Sequence, residues 1–350
     1  MWGPRLGRKI VEIVQFSLMI GLCITYSVTA GQSIKGTVSS QCDGADCESG
    51  LAPWIVLFGV AQLLLSQVPD FHSLWFVSLG GAVMSVGYCT IAAAASAAQA
   101  VENANNGMQP PYTRPERSTA DRIFGVFNAL GSIAFTFGGQ AVLPEIQATL
   151  VRPPKTHKSM MKGIAVAYVV VVLAYYSVAI SGYVAYGATV RPDVLLSISR
   201  PKTLIDAANI MVVLHVAAGY QIFAMPMFEF FEDTIRTIPW IVQRVQAPIR
   251  PAILRLIVRS IYVATTTCIA CLLPFFGDLM GLIASIGLMP ITFILPPLLW
   301  VSSRRPSHNS AQFVVCLAIV VSTSIIALLA FVGSMRNIIV DSKKYNVLGK

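Results

Sequence analysis

The chain has 350 residues, of which 55% are hydrophobic and 12% are charged, and its mean hydropathy is +0.69. This composition excludes an ordinary soluble domain, in which about a quarter of the residues are charged. The net charge of +9 does not indicate nucleic-acid binding, because the basic residues are distributed among several loops. The sequence therefore predicts an all-α integral membrane protein that has the lipid bilayer, and not nucleic acid, as a partner.

Nine apolar segments are candidates for membrane-spanning helices, each of which needs about 20 residues. In chain order they are residues 10–31, 52–68, 73–98, 122–149, 161–186, 203–230, 254–275, 279–300 and 311–334. The whole of 1–350 is predicted to be a single transmembrane domain of about nine helices. Residues 99–121 are predicted to form an extracytoplasmic loop, and residues 335–350 a polar C-terminal tail.

The basic residues indicate the orientation of these segments. The N-terminus and the loops after the fourth, sixth and eighth segments hold more than half of the 25 Lys and Arg residues. With nine spans these regions lie on one face, which the positive-inside tendency makes cytoplasmic, so the C-terminus is predicted to lie outside. Alternatively the first segment is a cleaved signal peptide, which is disfavoured because Glu12 and Gln15 interrupt its apolar run.

Two pairs of cysteines lie in different settings. Cys42 and Cys47 flank a short acidic stretch on the predicted outer face, where they form either a small disulfide-closed loop or two free thiols. Cys268 and Cys271 form a CxxC pattern inside the seventh segment, where packing is favoured over metal or redox chemistry. No HExxH, paired-carboxylate or GxxxxGK(S/T) pattern occurs, so no metal site, cofactor or enzymatic activity is predicted.

The fourth segment is interrupted. Its core reads FTFGGQAVLPEIQ, in which Gly138-Gly139 and then Pro144-Glu145 break an apolar stretch from Phe124 to Leu150. Backbone polar groups freed at membrane depth have no water to bond, so a break persists only against protein or a water-filled cavity. Discontinuous helices of this kind bind small substrates in secondary transporters, through exposed amides, carbonyls and helix ends.

A substrate is therefore predicted to bind where this helix unwinds, because exposed backbone groups can hold the ammonium and carboxylate of a zwitterion. The predicted substrate-binding residues are Ala134, Phe135, Thr136, Phe137, Gly138 and Gly139. The alternative is a glycine-rich packing face in an ordinary kinked helix.

Three ionisable residues are candidates for proton coupling, because a charge at membrane depth is costly and usually pairs or titrates. Glu145 follows the break, and its alternative role is to cap the helix that continues after it. Glu12 lies one turn from the basic N-terminus, which also favours an interfacial position. His215, in the sixth segment, either lines the transport pathway or is satisfied by a neighbouring helix.

Other acidic residues are predicted to lie away from any site. Glu229, Glu232 and Asp233 are expected at the membrane interface, at the end of the sixth segment. Asp278 is expected in an exposed tight turn at the outer face, within the sequence PFFGDLMG.

The sequence resembles the amino acid/auxin permease family, and within it the plant-type lysine–histidine and related neutral amino acid transporters. The matching stretches are GLCITYSVTAGQSIKG (21–36), PWIVLFGVAQLLLSQVPDFHSL (53–74), VMSVGYCTIA (83–92), VFNALGSIAFTFGGQAVLPEIQATL (126–150), MMKGIAVAYVVVVLAYYSVAISGYVAYG (160–187), AANIMVVLHVAAGYQIFAMPMFEFFE (207–232) and RSIYVATTTCIACLLPFFGDLMGLIASIGLMPITFILPPLLW (259–300). They follow the family's order and loop spacing over most of the chain.

The resemblance implies a proton-coupled amino acid symporter with a five-plus-five inverted-repeat fold, which has eleven spans in typical members. This chain begins at what resembles the third span, so an N-terminally truncated sequence is expected. Many relatives have an acidic residue at the positions of Ser132 and Met19, and several have a histidine at that of Gln140, so this chain departs from the pattern expected for proton coupling.

Three functional interpretations follow from the sequence. The first is secondary active transport of amino acids, driven by a proton gradient, with the plasma membrane as the expected location and the vacuolar membrane as the alternative. The second is a truncated, non-transporting paralogue that acts as a partner of intact carriers. The third is an auxin-like carrier, because an indole ring also needs an apolar pocket with a few polar anchors.

Overall fold

The computed structural model describes residues 4–41, 50–67, 75–112, 118–138, 143, 146–147, 156–237 and 250–343. Within these residues it contains nine helices and no β-strand. The helices are α1 Pro4–Gln41, α2 Ala52–Leu65, α3 Trp75–Asn105, α4 Thr119–Phe135, α5 Thr156–Tyr186, α6 Lys202–Arg236, α7 Arg250–Leu272, α8 Phe276–Arg304 and α9 Ala311–Ser342.

Each of the nine predicted segments overlaps one of these helices, which confirms the all-α prediction. Among the described residues, seven helices are long and apolar enough to cross a membrane. The other two are shorter: α2 has 14 residues, and α4 has 17 because it stops at Phe135. The early end of α4 falls inside the stretch that the sequence predicts to unwind.

Helices extend into the two regions predicted to be a loop and a tail. Residues 99–105 belong to α3, because the alanine-rich run before them favours helix strongly, and the next helix has already begun at Thr119. The non-helical connection is therefore shorter than the predicted loop at 99–121. At the other end of the chain, α9 continues to Ser342, so the helix extends well into the predicted tail at 335–350. Which side of the membrane these regions face stays a prediction.

Exposed apolar side chains distinguish the helices from those of a soluble protein. The most hydrophobic 18-residue window of α5 has none of its residues buried, and that of α9 has 11% buried. Val166 and Leu173 on α5 each expose 67% of their surface, and Leu328 on α9 exposes 64%. Apolar faces of this extent are stable when they face hydrocarbon.

The contacts divide the chain, predicted as one domain, into two compact units. The first, called unit A here, contains Met1–Gly21, Pro115–Leu173 and Gly277–Lys344. The second, unit B, contains Leu22–Arg114, Ala174–Phe276 and Tyr345–Lys350.

Unit B is built around α6. The helix α3 packs along α6, and α2 packs against α7. Tyr220 and Phe228 of α6 are fully buried, and the Tyr220 hydroxyl bonds the Thr266 hydroxyl at 2.8 Å. Edge-to-face aromatic contacts join Phe58 to Tyr220 and Phe228 to Tyr262, with ring centroids 6.2 and 5.3 Å apart. Such contacts add to the apolar packing of this core.

Unit A is built on close packing of α4 against α9 and α8. A Cβ atom placed on Gly131 of α4 would lie 2.8 Å from the Cα atom of Gly281 on α8. A Cβ atom on Gly333 of α9 would lie 2.8 Å from the backbone nitrogen of Asn128 on α4. Small residues at these points let the helix backbones approach closely, as in other membrane helix pairs.

Candidate functional site

Regular helical hydrogen bonding in α4 ends at Phe135. The Thr136 amide lies 3.3 Å from the carbonyl oxygens of both Ser132 and Ile133, and the Gly138 amide donates to the Phe135 carbonyl at 3.1 Å. These shorter-range bonds tighten the last turn, as is common where a helix stops. Among the predicted substrate-binding residues, Ala134 to Gly138 are half-buried: Ala134 and Phe135 end the helix, and Thr136 to Gly138 form the irregular stretch. Gly139 lies outside the described residues.

Two neighbours within unit A hold the end of α4. On α5, the Tyr168 hydroxyl donates to the Phe137 carbonyl at 3.4 Å, and the two rings stack with centroids 6.3 Å apart. On α8, the Leu288 side chain occupies the space that a Cβ atom on Gly138 would need. The break is therefore packed against side chains on both helices, and Gly138 is required there for close approach.

The part of α8 that contacts the break is itself irregular. Ala284–Leu288 and Pro290–Ile294 are π-helical, between the α-helical turns Phe276–Ile283 and Leu295–Arg304. Pro290 explains part of this geometry, because proline lacks an N–H and its ring clashes with the carbonyl four residues earlier. π-Helical turns are rare and frequent at functional sites. Thus irregular backbone from α4 and α8 meets in one region of unit A.

A network of polar side chains connects α4, α8 and α9 further along these helices. Asp278 accepts hydrogen bonds at Oδ1 from the side-chain amides of Asn128 on α4, at 2.8 Å, and Asn337 on α9, at 3.2 Å. Ser334 donates to Oδ1 of Asn128 at 2.7 Å. The prediction of an exposed tight turn at Asp278 is wrong: Asp278 is half-buried in the first helical turn of α8.

The sequence matches the family described as transmembrane amino acid transporter proteins over residues 1–340. The chain belongs to this family. It is 36% identical to lysine histidine transporter-like 1 of Arabidopsis thaliana, over 99% of this chain and 74% of the relative. It is 38% identical to lysine histidine transporter-like 6, over 99% and 76%, and 31% identical to amino acid permease 2, over 96% and 72%, both of the same organism.

These comparisons confirm the resemblance to plant-type lysine–histidine and amino acid permeases. The amino acid transporter is a multi-pass integral membrane protein, and its family carries amino acids across membranes and does not consist of enzymes. The chain spans about three quarters of the length of the relatives described above.

The transporter positions the three predicted proton-coupling residues differently. His215 on α6 is half-buried, and its Nδ1 donates to the Gly81 carbonyl of α3 at 2.8 Å, since a carbonyl only accepts. Its ring also contacts Tyr88 edge-on, with centroids 5.8 Å apart. Glu12 is half-buried in α1, and Glu145 lies outside the described residues. His215 is thus satisfied by a neighbouring helix, and the coupling role of all three stays a prediction.

A buried ion pair in unit B was not expected from the sequence. Glu232 is 6% exposed rather than interfacial, and its Oε1 accepts from Nε of Arg259 on α7 at 2.9 Å. Arg259 also donates to the Ser66 carbonyl at the end of α2, at 2.6 Å, and lies 5.1 Å from the centroid of the Phe228 ring. This pair joins α2, α6 and α7. Of the neighbouring acids, Asp233 exposes 78% of its side chain, as predicted for an interfacial residue.

The two cysteines of the CxxC pattern in α7 differ in exposure. Cys268 is exposed, and the Cys271 thiol lies 3.8 Å from the Ala52 carbonyl. Cys42 and Cys47, the predicted disulfide candidates, lie outside the described residues. Within the described part of the chain, no group of three or more His, Cys, Asp or Glu side chains is arranged to bind a metal ion.

Proposed function

We propose that this transporter is a proton-coupled amino acid symporter that works by alternating access and holds its substrate at Ala134–Gly139. The observation that supports this most strongly is the end of α4 at Phe135, within a stretch that continues as apolar sequence. Carbonyl groups at a helix C-terminus carry partial negative charge and favour a cation such as the ammonium group of an amino acid. In discontinuous transporter helices, backbone amides beside the break bind a carboxylate.

The residue types of this region suit a small zwitterion. Phe135 and Phe137 supply apolar surface beside the end of the helix, and Tyr168 fixes the Phe137 carbonyl. A site of a few polar anchors among aromatic side chains is typical of small-molecule pockets. The relatives are named as carriers of lysine and histidine or of amino acids in general, and another, 32% identical, is GABA transporter 1 of Arabidopsis thaliana. We accordingly propose amino acids and closely related amines with a carboxylate as the substrate class.

The driving force in this proposal is a proton gradient, and Glu145, Glu12 and His215 are its candidate coupling residues. A carboxylate or imidazole at membrane depth can carry a proton between the two aqueous phases without a cofactor. The proposed location is the plasma membrane, where a gradient directed into the cell would drive uptake. A vacuolar membrane is the alternative location.

The test is uptake by the purified protein in proteoliposomes with an acidic exterior. The probes are labelled lysine, histidine, alanine, GABA and indole-3-acetic acid, with a pH-sensitive dye enclosed in the vesicles. The expected result is accumulation of at least one amino acid together with acidification of the vesicle interior. Gly138→Leu should abolish uptake, because its side chain must occupy the space of Leu288.

Gly163→Leu is the matched control, because no atom lies within 4 Å of the Cβ position on Gly163 in α5. Uptake of indole-3-acetic acid alone would favour the auxin-like carrier. Absence of uptake of every probe, by protein that is folded and correctly inserted, would contradict the proposal and favour the non-transporting partner.

A further inference from the structure

We propose that Asp278 is a proton-binding residue of the transport cycle, held ready for protonation by Asn128 and Asn337. This inference rests on the proposed function, because it assigns the coupled proton a place in unit A. The sequence directs attention to Glu145, Glu12 and His215, whereas the structure places Asp278 of unit A against two neutral amide donors from different helices.

The side chains that bond Asp278 are uncharged. Both donors are amide groups, and both reach the same oxygen atom, Oδ1, from different helices. The arginine nearest in sequence to Asn337 is Arg336, which pairs instead with Asp121 at 2.6 Å and lies 4.7 Å from the centroid of the Phe124 ring. A carboxylate that lacks a fixed cation can change its protonation without leaving an unpaired positive charge behind.

A second acidic residue lies on the same face of α9 as Asn337. Asp341 follows Asn337 by one helical turn, so the two side chains project from the same side of the helix. A like charge nearby disfavours the ionised form of a carboxyl group, so Asp341 favours a proton on Asp278. The other charged side chains in the first turn of α4 and the last turns of α9 are Arg336 with Asp121, which form an ion pair, Arg122 and Lys343.

The network is connected to the break in α4 through one helix. Asn128 lies seven residues before Phe135, so about 10 Å of regular helix separates the amide from the end of α4. Gly281 of α8 has no room for a side chain, because Asn128 and Ser334 fill the space beside it. A change in the hydrogen bonds of Asp278 would thus act directly on the packing of α4 against α8 and α9.

Protonation of Asp278 would change the hydrogen bonds that it makes with Asn128 on α4. In the protonated state Asp278 can donate to a neighbouring acceptor, and in the ionised state it only accepts from the two amides. The two states therefore favour different hydrogen-bond arrangements around Asn128. Coupling between proton and substrate requires one structural element with two states that responds to both ligands. The helix α4 meets this requirement, because it carries Asn128, which bonds Asp278, and the proposed substrate-binding residues. Asn128 and Asn337 are positioning residues in this mechanism.

The experiment separates proton-driven accumulation from exchange, using the full chain in proteoliposomes and labelled alanine, whose charge is constant between about pH 5.5 and 7.5. Accumulation is driven by an acidic exterior. Exchange is measured against unlabelled alanine at equal pH on both sides, where no net proton movement is needed. Asp278→Asn is expected to lower accumulation at least about tenfold and to leave exchange within about twofold of the unaltered protein. Asp233→Asn, at an exposed carboxylate, is the matched control and should change neither.

A second variant keeps the inference testable if Asp278→Asn folds poorly. Asp278→Glu retains a carboxyl group, so it should retain accumulation with a displaced pH dependence. Accumulation by Asp278→Asn equal to that of the unaltered protein would overturn the inference. So would an equal loss of accumulation and exchange in Asp278→Asn combined with an unchanged pH profile in Asp278→Glu, which is the behaviour of a purely structural residue.

The outcome for the unaltered protein distinguishes the two proposals. Exchange without proton-driven accumulation by the unaltered protein would contradict proton symport itself, and the inference about Asp278 with it. Proton-driven accumulation that persists in Asp278→Asn would leave symport intact and return the coupling role to Glu145, Glu12 or His215.

Discussion

The two compact units each contain a carboxylate that joins three helices, but the partners of these carboxylates differ. In unit B, Glu232 is 6% exposed and bonds the buried guanidinium of Arg259. In unit A, Asp278 is half-buried and bonds the neutral amides of Asn128 and Asn337. A fixed cation keeps a carboxylate ionised, whereas neutral donors allow it to gain and lose a proton.

The difference in partners suggests different roles: the Glu232–Arg259 ion pair is a fixed structural contact, whereas the hydrogen bonds of Asp278 can change with protonation. The ion pair of unit B fixes α6, α7 and the end of α2, and the core around it consists of fully buried aromatic side chains. Unit A contains the end of α4, the π-helical turns of α8 and the amide network. Elements that change during a transport cycle are drawn from weakly fixed parts of a structure. We therefore expect unit B to act as the more rigid support and unit A to contain the groups that respond to ligands.

The largest expected effect is the loss of the cation in unit B. Arg259→Met leaves the buried Glu232 carboxylate without its closest partner, and breaking a buried pair in this way costs about 3–5 kcal/mol of unfolding free energy. A large fall in the melting temperature of the purified protein in detergent is the measurement that checks this. The double variant Arg259→Met with Glu232→Gln should recover part of the loss, because the buried carboxylate charge is removed, whereas Arg236 and Arg255, 3.8 and 4.0 Å from Oε2 of Glu232, are partly exposed to solvent. A single variant as stable as the unaltered protein would remove the distinction between the two carboxylates.

The next largest effect is expected where α4 approaches α8 in unit A. A methyl group on Gly131 would lie 2.8 Å from the Cα atom of Gly281, which is backbone and cannot rotate away. Gly131→Ala should therefore lower the unfolding free energy by about 1–3 kcal/mol, the usual cost of overpacking. Gly163→Ala on α5 is the control, since the position is open and alanine favours helix. Equal melting temperatures for the two variants would mean that α4 and α8 are not closely packed.

Much of the architecture could be predicted from local sequence. Long apolar runs are sufficient to place nine helices, and Gly138 with its neighbours is sufficient to locate the end of α4. These features depend on residues close together in the chain. The ends of α3 and α9 were predicted less well, because helix propensity and tertiary packing extended both helices past the predicted ends of their apolar segments.

The polar contacts could not be predicted in the same way. Asn128 bonds a residue 150 positions away, and Glu232 bonds Arg259 across a connection between two helices. Neither pairing leaves a local pattern, and Pro and Gly near Asp278 favoured a turn where α8 in fact begins. The one available signal was an asparagine inside an apolar span, with Ser132 one turn later on the same face. Such a residue needs a partner in another helix.

A smaller effect is expected within the amide network. Ser334 is fully buried, and its hydroxyl orients Asn128 through the 2.7 Å bond to Oδ1. Ser334→Ala should cost about 0.5–1.5 kcal/mol of unfolding free energy, the range for one hydrogen bond. Ser322→Ala on the exposed face of the same helix is the control, because the Ser322 hydroxyl bonds only its own helix in the structure. If both variants melted at the temperature of the unaltered protein, Ser334 would not be part of the support for Asp278.

The smallest effect is expected at a third carboxylate, which has neither an arginine nor a side-chain amide among its described hydrogen-bond partners. Asp193 lies in the connection between α5 and α6, outside the membrane-spanning helices, and accepts from the Leu195 amide at 3.0 Å. Burial raises the pKa of Asp193, and the Leu195 hydrogen bond lowers it by less. The folded protein therefore binds this proton more tightly than the unfolded chain, and stability falls as the pH rises through the interval between the two pKa values.

Asp193→Asn removes this dependence while keeping an oxygen that can accept from the Leu195 amide. The variant should melt at a higher temperature than the unaltered protein at neutral pH, and at the same temperature below about pH 3, where Asp193 is protonated in both states. Melting curves in detergent at several pH values measure the difference. A variant that is less stable at neutral pH would contradict this expectation, because it would show that the folded protein stabilises the ionised form of Asp193.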